Sequence, residues 1–464
     1  MPMVIYNRCL SQPEKIPVEA GSSLAVRDLS VANESGPGVR GRLRQLVAAA
    51  ALAQLAVFGG VVLGCGDQYR PVESAINPVG PAAQPAKYAV VVSNPGVGQP
   101  GLLTIVDFSG DSILINANLG VGPQYLILGQ GGTEGYVLNS DGTLNSFSLN
   151  IGVPPAIGLE TKDVQTTTLL PGALPSSVFP YSGNSVYVTE PGRTSPSVAV
   201  LAGAPPSVKQ ELPVGAGPVF IVGQPNASRI YSISHNANQV SAIQPLSNTI
   251  SNTINVGSNP VYGVMSPDTN RAFIMNQGDG TVSVINVQTN LLDATHPALQ
   301  VGQGPVWADI YNIGNELVVA NSISNSVSII SVPLCNNTAQ PGNPTCDPNN
   351  PQDAANFGTT TGTVAVGRNP VMVTVLQDGT RAYTANQADG TVSVVNLATN
   401  TVTKTIPVNG HPTFVQATTG TPTGKVYVIS PDSNLMTVIS TQTDTVTATV
   451  ALQGLGVQVR VTQP

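Results

Sequence analysis

Residues 271–290 read RAFIMNQGDGTVSVINVQTN, and residues 381–400 read RAYTANQADGTVSVVNLATN. The two phrases lie 110 residues apart and share one pattern. Each holds two alternating apolar runs joined by a turn that ends in Asp-Gly, where glycine accepts positive φ without steric cost. A chain that returns to one strand–turn–strand unit after a long interval is building the same supersecondary piece repeatedly.

The second phrase extends to a complete unit. Residues 371–376 read as a first strand, Asp378-Gly379 as a turn, 381–385 as a second strand, and Ala388-Asp389-Gly390 as another turn. Residues 391–397 and 401–408 read as the third and fourth strands. Alternation such as Val392 and Val394 against Ser393 and Val395 turns one face toward a neighbouring unit. A Gly-x-x-Pro-like step precedes each unit. Its prolines are Pro123, Pro175, Pro218, Pro260, Pro305, Pro370 and Pro412, spaced by 52, 43, 42, 45, 65 and 42 residues. The common spacing of 42–45 suits a four-stranded propeller blade, and the two long gaps require insertions. The longer gap contains LCNNTAQPGNPTCDPNNPQ, residues 334–352.

Strand-two/strand-three units begin near Tyr88, Gly135, Ser185, Ile230, Ala272, Leu317, Ala382 and Val426, which is eight. Seven prolines supply seven inner strands. Residues 457–462, VQVRVT, supply the eighth by pairing with the N-terminal unit, which closes the ring and removes open sheet edges. The expected fold is all-β: a single β-propeller of four-stranded antiparallel blades over residues 88–464, eight by count with seven as the alternative. An insertion is expected at about residues 334–360.

Composition limits the function. Charged residues make up 9% of the chain, against roughly 25% in ordinary soluble proteins. Beyond Cys65 there are 12 Lys and Arg against 21 Asp and Glu, a net charge of −9 with no basic cluster. A phosphate-tracking surface needs such a cluster, so nucleic acid is not an expected partner. The sequence has no G-x-S-x-G elbow, HExxH, P-loop or EF-hand loop, and no CxxC or CxxCH. His235, His296 and His411 fall in different blades and different loop types. No catalytic residue, metal or cofactor is therefore expected, and the chain is expected to be a monomer.

Near the N-terminus Arg40, Arg42 and Arg44 precede an apolar run of 19 residues, 46–64, broken only by Gln54 and followed by Cys65. Basic, then apolar, then small is the order of a secretory signal. An uncleaved transmembrane helix fits the same length. Either reading places the remainder outside the cytoplasm. The ending Val62-Leu63-Gly64-Cys65 resembles the lipobox of bacterial lipoproteins. That resemblance implies lipidation of Cys65 and membrane lipid as a partner. Gly66 stands where such lipoproteins carry an inner-membrane retention aspartate, which implies the outer membrane, with the domain periplasmic or at the cell surface. Residues 1–39 are expected to be an extension or a start assigned too early. Residues 40–64 are the expected signal, and 65–87, with Pro71, Pro78, Pro81 and Pro85, an extended tether. Cys335 and Cys346 in an exported chain predict a disulfide across the insertion, with two free thiols as the alternative.

The phrases VYVTE (186–190), AYTANQ (382–387), GTVSVIN (280–286) and GTVSVVN (390–396), with the G-x-N-P steps at Gly257 and Gly367, resemble the YVTN family of bacterial β-propeller repeats. The resemblance spans residues 88–462 and implies the fold; seven blades are the more usual number in that family. Similar propellers include lactonase-like and lyase-like enzymes, which would require Glu190, His235 or His411 as acid or base. The resemblance also raises single-stranded DNA binding, against which the net charge and the lack of basic–aromatic interleaving argue.

In a propeller the strand-two/strand-three turns and the lead-ins to the inner strands share one face. On that face the candidate ligand-binding residues are Glu190, His235, Asn276, Gln277, Asn321, Arg368, Asn369, Asn386, Gln387 and His411. The recurring asparagines equally suit local turn chemistry. Glu190, His235, Arg368 and His411 interrupt the amide theme and are the more informative. Trp307 reads as core or channel lining. The expected function is a non-enzymatic cell-envelope binding or scaffold protein, offering an amide-rich face to a protein, glycan or small molecule.

Overall fold

Strand alternation sends the side chains of each quoted phrase to two different interfaces. In the second strand of one unit, Arg271–Asn276, Ala272 and Ile274 pack with Val222, Tyr231 and Ile233 of the preceding unit. Phe273 and Met275 point the other way and pack with Leu317 and Val319 of the following unit. In the matching strand Arg381–Asn386, Ala382 joins Val318 and Val373, while Tyr383 and Ala385 join Val426 and Val428. Both faces of each sheet are thus apolar and covered, as stacked blades require. Each fully buried Val, Leu or Ile contributes about 1.5–3 kcal/mol.

The computed structural model describes residues 88–149, 164–182, 185–310, 316–333, 356–418 and 424–462. These form eight antiparallel sheets. From inside to outside, blade 7 runs Pro370–Val375, Arg381–Asn386, Thr391–Asn396 and Thr401–Pro407. Blades 2, 3, 4, 6 and 8 repeat this order, and in blade 5 the outer strand is split into Leu291–Leu292 and Ala298–Gln300. Blade 1 takes its inner strand, Leu455–Val461, from the C-terminus and its other three from the N-terminal end of the domain. Val459 pairs with Val91 and Val461 with Ala89. The Thr462 amide donates to the Tyr88 carbonyl at 3.0 Å. The ring therefore closes as expected, with eight blades.

Five anchor prolines open an inner strand: Pro123, Pro218, Pro260, Pro305 and Pro370. Proline has no N–H to give a ladder, so the first position of an edge strand suits it. In blades 3 and 8 the inner strand begins later, at Val178 and Phe414. There the residues after Pro175 and Pro412 still bond the second strand, through Thr189 to Ser177 and Thr413 to Ile429, but outside the regular ladder. In the other five the pairing shifts between the proline and the second residue after it, leaving one residue bulged. Such a bulge re-aims the side chains around it. The outer strand of blade 6 begins at Thr360, and Phe357 just before it is buried against Phe273 and His296. The predicted signal, tether, Cys65, Cys335 and Cys346 lie outside the described residues.

Candidate functional site

The ten residues singled out from sequence lie at the ends of strands as expected, but they are held in separate local arrangements. Asn276, Asn321 and Asn386 are fully buried at 0% exposure. Their Nδ2 groups donate into their own turns: Asn276 to Thr281 and Ser283, Asn321 to Ser326 and Ser328, Asn386 to Thr391 and Ser393. Each amide presses on the glycine of the adjoining lead-in. A Cβ on Gly257 would stand 2.5 Å from the Asn276 Nδ2, and one on Gly367 2.7 Å from the Asn386 amide. This close approach is why the Gly-x-x-Pro step begins with glycine.

Arg368 and His411 occupy matching lead-ins and have matching partners. Asp389 accepts from the Arg368 backbone and from its Nε, and Asp432 does the same for the His411 backbone and Nδ1. Both side chains are exposed, at 71% and 61%. The Arg368 backbone N–H, then its guanidinium, hold the Asp389 carboxyl below the usual range. Asn369 has φ +52° and donates to Gln387 at 2.9 Å. The equivalent Gln277 is half-buried, and its backbone amide bonds the Asn259 carbonyl. His235 is half-buried, with Nδ1 3.2 Å from the Pro260 carbonyl.

Glu190 differs from the rest. It is fully buried beside Arg193 (3.5 Å) and accepts from the Ser197 hydroxyl at 3.0 Å. Burial, and then the neighbouring Glu211 carboxyl, push its pKa up to about 7. A carboxyl whose folded pKa lies above its unfolded value favours the native state while protonated. That stability is complete below about pH 4.5 and is lost as pH rises toward 7. Glu190→Gln is therefore expected to raise stability at pH 8 by on the order of 1–2 kcal/mol, after discounting for solvent screening. It should also flatten the change between pH 4.5 and 7. Urea midpoints across that range test this; an unchanged slope refutes it.

A large recess lies elsewhere, on the axis. Two residues after the anchor prolines stand Tyr125, Phe220, Tyr262, Trp307 and Phe414. Their rings form a belt across the bore. Tyr262 stacks on Trp307 with centroids 3.9 Å apart, Phe220 lies 4.6 Å from Tyr262, and Tyr125 meets Phe220 edge-on at 6.3 Å. Trp307 meets Phe414 edge-on at 6.2 Å, so the lone tryptophan lines the channel. Arg460, from the C-terminal inner strand, closes the belt by lying 4.8 Å over Phe414. Its Nε donates to the Leu126 carbonyl at 3.1 Å and Nη1 to Gln416 at 3.2 Å.

On one side of this belt is a cavity of about 610 Å³. It opens between the strand-one/strand-two turns at residues 129–132, 224–226 and 267–269. The candidate residues from sequence lie at the opposite end of the inner strands, and none of them lines it. Asp309 sits deep nearby, its oxygens accepting from the Val375 and Ile310 amides at 2.8 and 2.9 Å. Burial pushes its pKa up to about 6 against those bonds. Burial also holds the Tyr262 hydroxyl well above the usual phenol range. Among the described residues no three His, Cys, Asp or Glu side chains come together.

No protein-family model and no curated sequence matches the chain. Solved structures share its fold. With the dihydro-heme d1 dehydrogenase NirN in complex with DHE the TM-score is 0.58 at 13% identity, over 83% of this chain and 78% of that one. With apo AztD from Citrobacter koseri it is 0.53 at 11%, over 81% and 97%. With a candidate 6-phosphogluconolactonase from Bacteroides fragilis it is 0.53 at 14%, over 83% and 100%. At these identities the likeness is one of fold, and a fold hosts unrelated functions.

The axial residues left a signal in the sequence that the proline reading passed over. Five of the seven anchor prolines are followed, two residues on, by an aromatic, in a chain with only 5% aromatics. The spacing was readable; that the five positions meet on one axis was not.

Proposed function

We propose that the chain is a non-enzymatic binding protein of the cell envelope that takes a small molecule into its axial cavity. The observation that carries this is the cavity itself, about 610 Å³ with Phe220, Tyr262 and Tyr125 in its wall and amides of Gln130, Gln224, Asn226 and Gln416 around them. A recess that combines aromatic walls with convergent polar groups is a common form of ligand site. The reading keeps the export signal and a lipid anchor at Cys65, with the tether holding the propeller off an outer membrane. It takes the asparagine-rich face as a structural rim. Lactone or lyase chemistry gains little support: Asp309, a carboxyl near Tyr262, accepts from a backbone amide at each oxygen.

The test is a thermal-shift screen of the detergent-solubilised full chain against sugars, lactones, nucleotides and small organic acids, followed by Tyr262→Ala. A ligand at 100 times its Kd adds about 2.7 kcal/mol. Tyr262→Ala is expected to weaken any hit at least tenfold while Arg368→Ala and His411→Ala leave it unchanged. The reverse pattern moves the site to the opposite face. Turnover of a lactone overturns the non-enzymatic reading.

A further inference from the structure

The lining of the cavity carries one charge. Of the residues that form its wall, only Arg460 is ionised at neutral pH, and no Asp or Glu is among them. This is unusual in a chain whose net charge beyond Cys65 is −9. Among the described residues no carboxylate pairs with Arg460. Its two hydrogen bonds go to neutral acceptors, the Leu126 carbonyl and the Gln416 side chain. Those bonds and the Phe414 ring beneath it fix the guanidinium in place. Asp309 is close enough to feel the Arg460 charge, but its oxygens bond two backbone amides and it forms no ion pair with the guanidinium. Arg460 is half-buried, and a partly desolvated cation with no carboxylate in contact favours an anionic partner that completes it. An arginine fixed at one end of an aromatic recess is suited to hold a planar carboxylate by paired N–H···O bonds.

We infer that the ligand of this cavity is a compact monocarboxylate, its charged end on Arg460 and its uncharged body against Tyr262 and Phe220. The inference rests on the binding reading above and narrows it to one chemical class. Two kinds of body satisfy it, an aromatic ring or a sugar ring, and the probes separate them.

The experiment compares matched pairs on the full chain: phenylacetate with phenylacetamide, and glucuronate with glucuronamide, titrated by calorimetry or saturation-transfer NMR. The acid of at least one pair is expected to bind tenfold or more tighter than its amide, and which pair responds identifies the body. Arg460→Gln should erase that preference and Arg460→Lys should retain part of it, with melting curves confirming that both variants are folded. Equal binding of acid and amide by the wild type overturns the inference, as does a preference that survives Arg460→Gln. In either case binding that Tyr262→Ala still weakens leaves the cavity reading standing. No binding of any probe overturns both.

Discussion

A chain ending at Gly454 is expected to lose its folded monomer altogether. The truncation removes the inner strand of blade 1, Leu455–Val461, and with it the ladder to Tyr88–Asn94. It also removes the bond from Leu126 to Gln458 that ties blade 1 to blade 2. Val459, fully buried, disappears, and the Val91 and Ala89 edge is opened. Seven ladder residues and their apolar burial amount to on the order of 5–10 kcal/mol. Native domains have only about 5–15 kcal/mol in total. The opened strand is also a template for pairing between molecules. Blade 8 still meets blade 1 through Lys425, whose ammonium bonds Asp111 at 2.7 Å and the Phe108 carbonyl at 2.6 Å, but that tie lies outside the removed strand's place on the axis. Gel filtration and a melting curve measure the effect, with a peptide of residues 455–462 added in trans as the rescue. A truncated chain that stays monomeric and melts in one cooperative step would show that the ring holds without its closing strand.

The second large effect is expected at Arg271. Its guanidinium and the Asp293 carboxylate are both at 0% exposure, with Nε 3.2 Å from Oδ2. Nη1 also donates to the Asn270 carbonyl, and the cation lies 6.0 Å from the Phe357 ring. Asp293 takes two further bonds from the Thr295 and His296 amides. Burial alone would raise its pKa, but those amides and Arg271 more than offset it, and the carboxyl is held below its usual range. A depressed folded pKa contributes stability above the unfolded value that is lost as pH falls through the folded one. Arg271→Met strands a buried carboxylate and is expected to cost about 3–5 kcal/mol. Asp293→Asn on that background should recover part of the loss. Arg381 occupies the equivalent position but pairs with Asp444 of the next blade, where the two side chains are 23% and 17% exposed. Arg381→Met should cost clearly less. Denaturant melts of the three variants against the wild type decide it; equal costs at the two arginines would mean that burial of the pair is not the determinant.

These two arginines mark the boundary between local and tertiary information. Both open the phrase whose repetition reveals the blades, and both precede an alternating strand. The strands, turns and blade count follow from short-range rules: alternation chooses the two faces, Asp-Gly and Asn choose the turns, and the glycine before each proline makes room for a neighbouring amide. Even the pairing of VQVRVT with the first strand was legible, because a unit with three strands needs a fourth. Where Arg271 and Arg381 find their carboxylates was not, since one partner comes from the same blade and the other from the next.

The candidate site shows the same division more sharply. The recurring asparagines were visible as a pattern, and their pattern is that of turns pinned from within, each Nδ2 donating inside its own blade. The cavity depends on residues that are far apart in the chain: Arg460 bonds Leu126 across 334 positions. Sequence by itself determined what repeats, because hydrogen-bond ladders and turns are settled between residues near one another. Only the closed ring decided what converges, because the bore at its centre, and the side chains that meet there, exist only once eight blades have been placed around one axis.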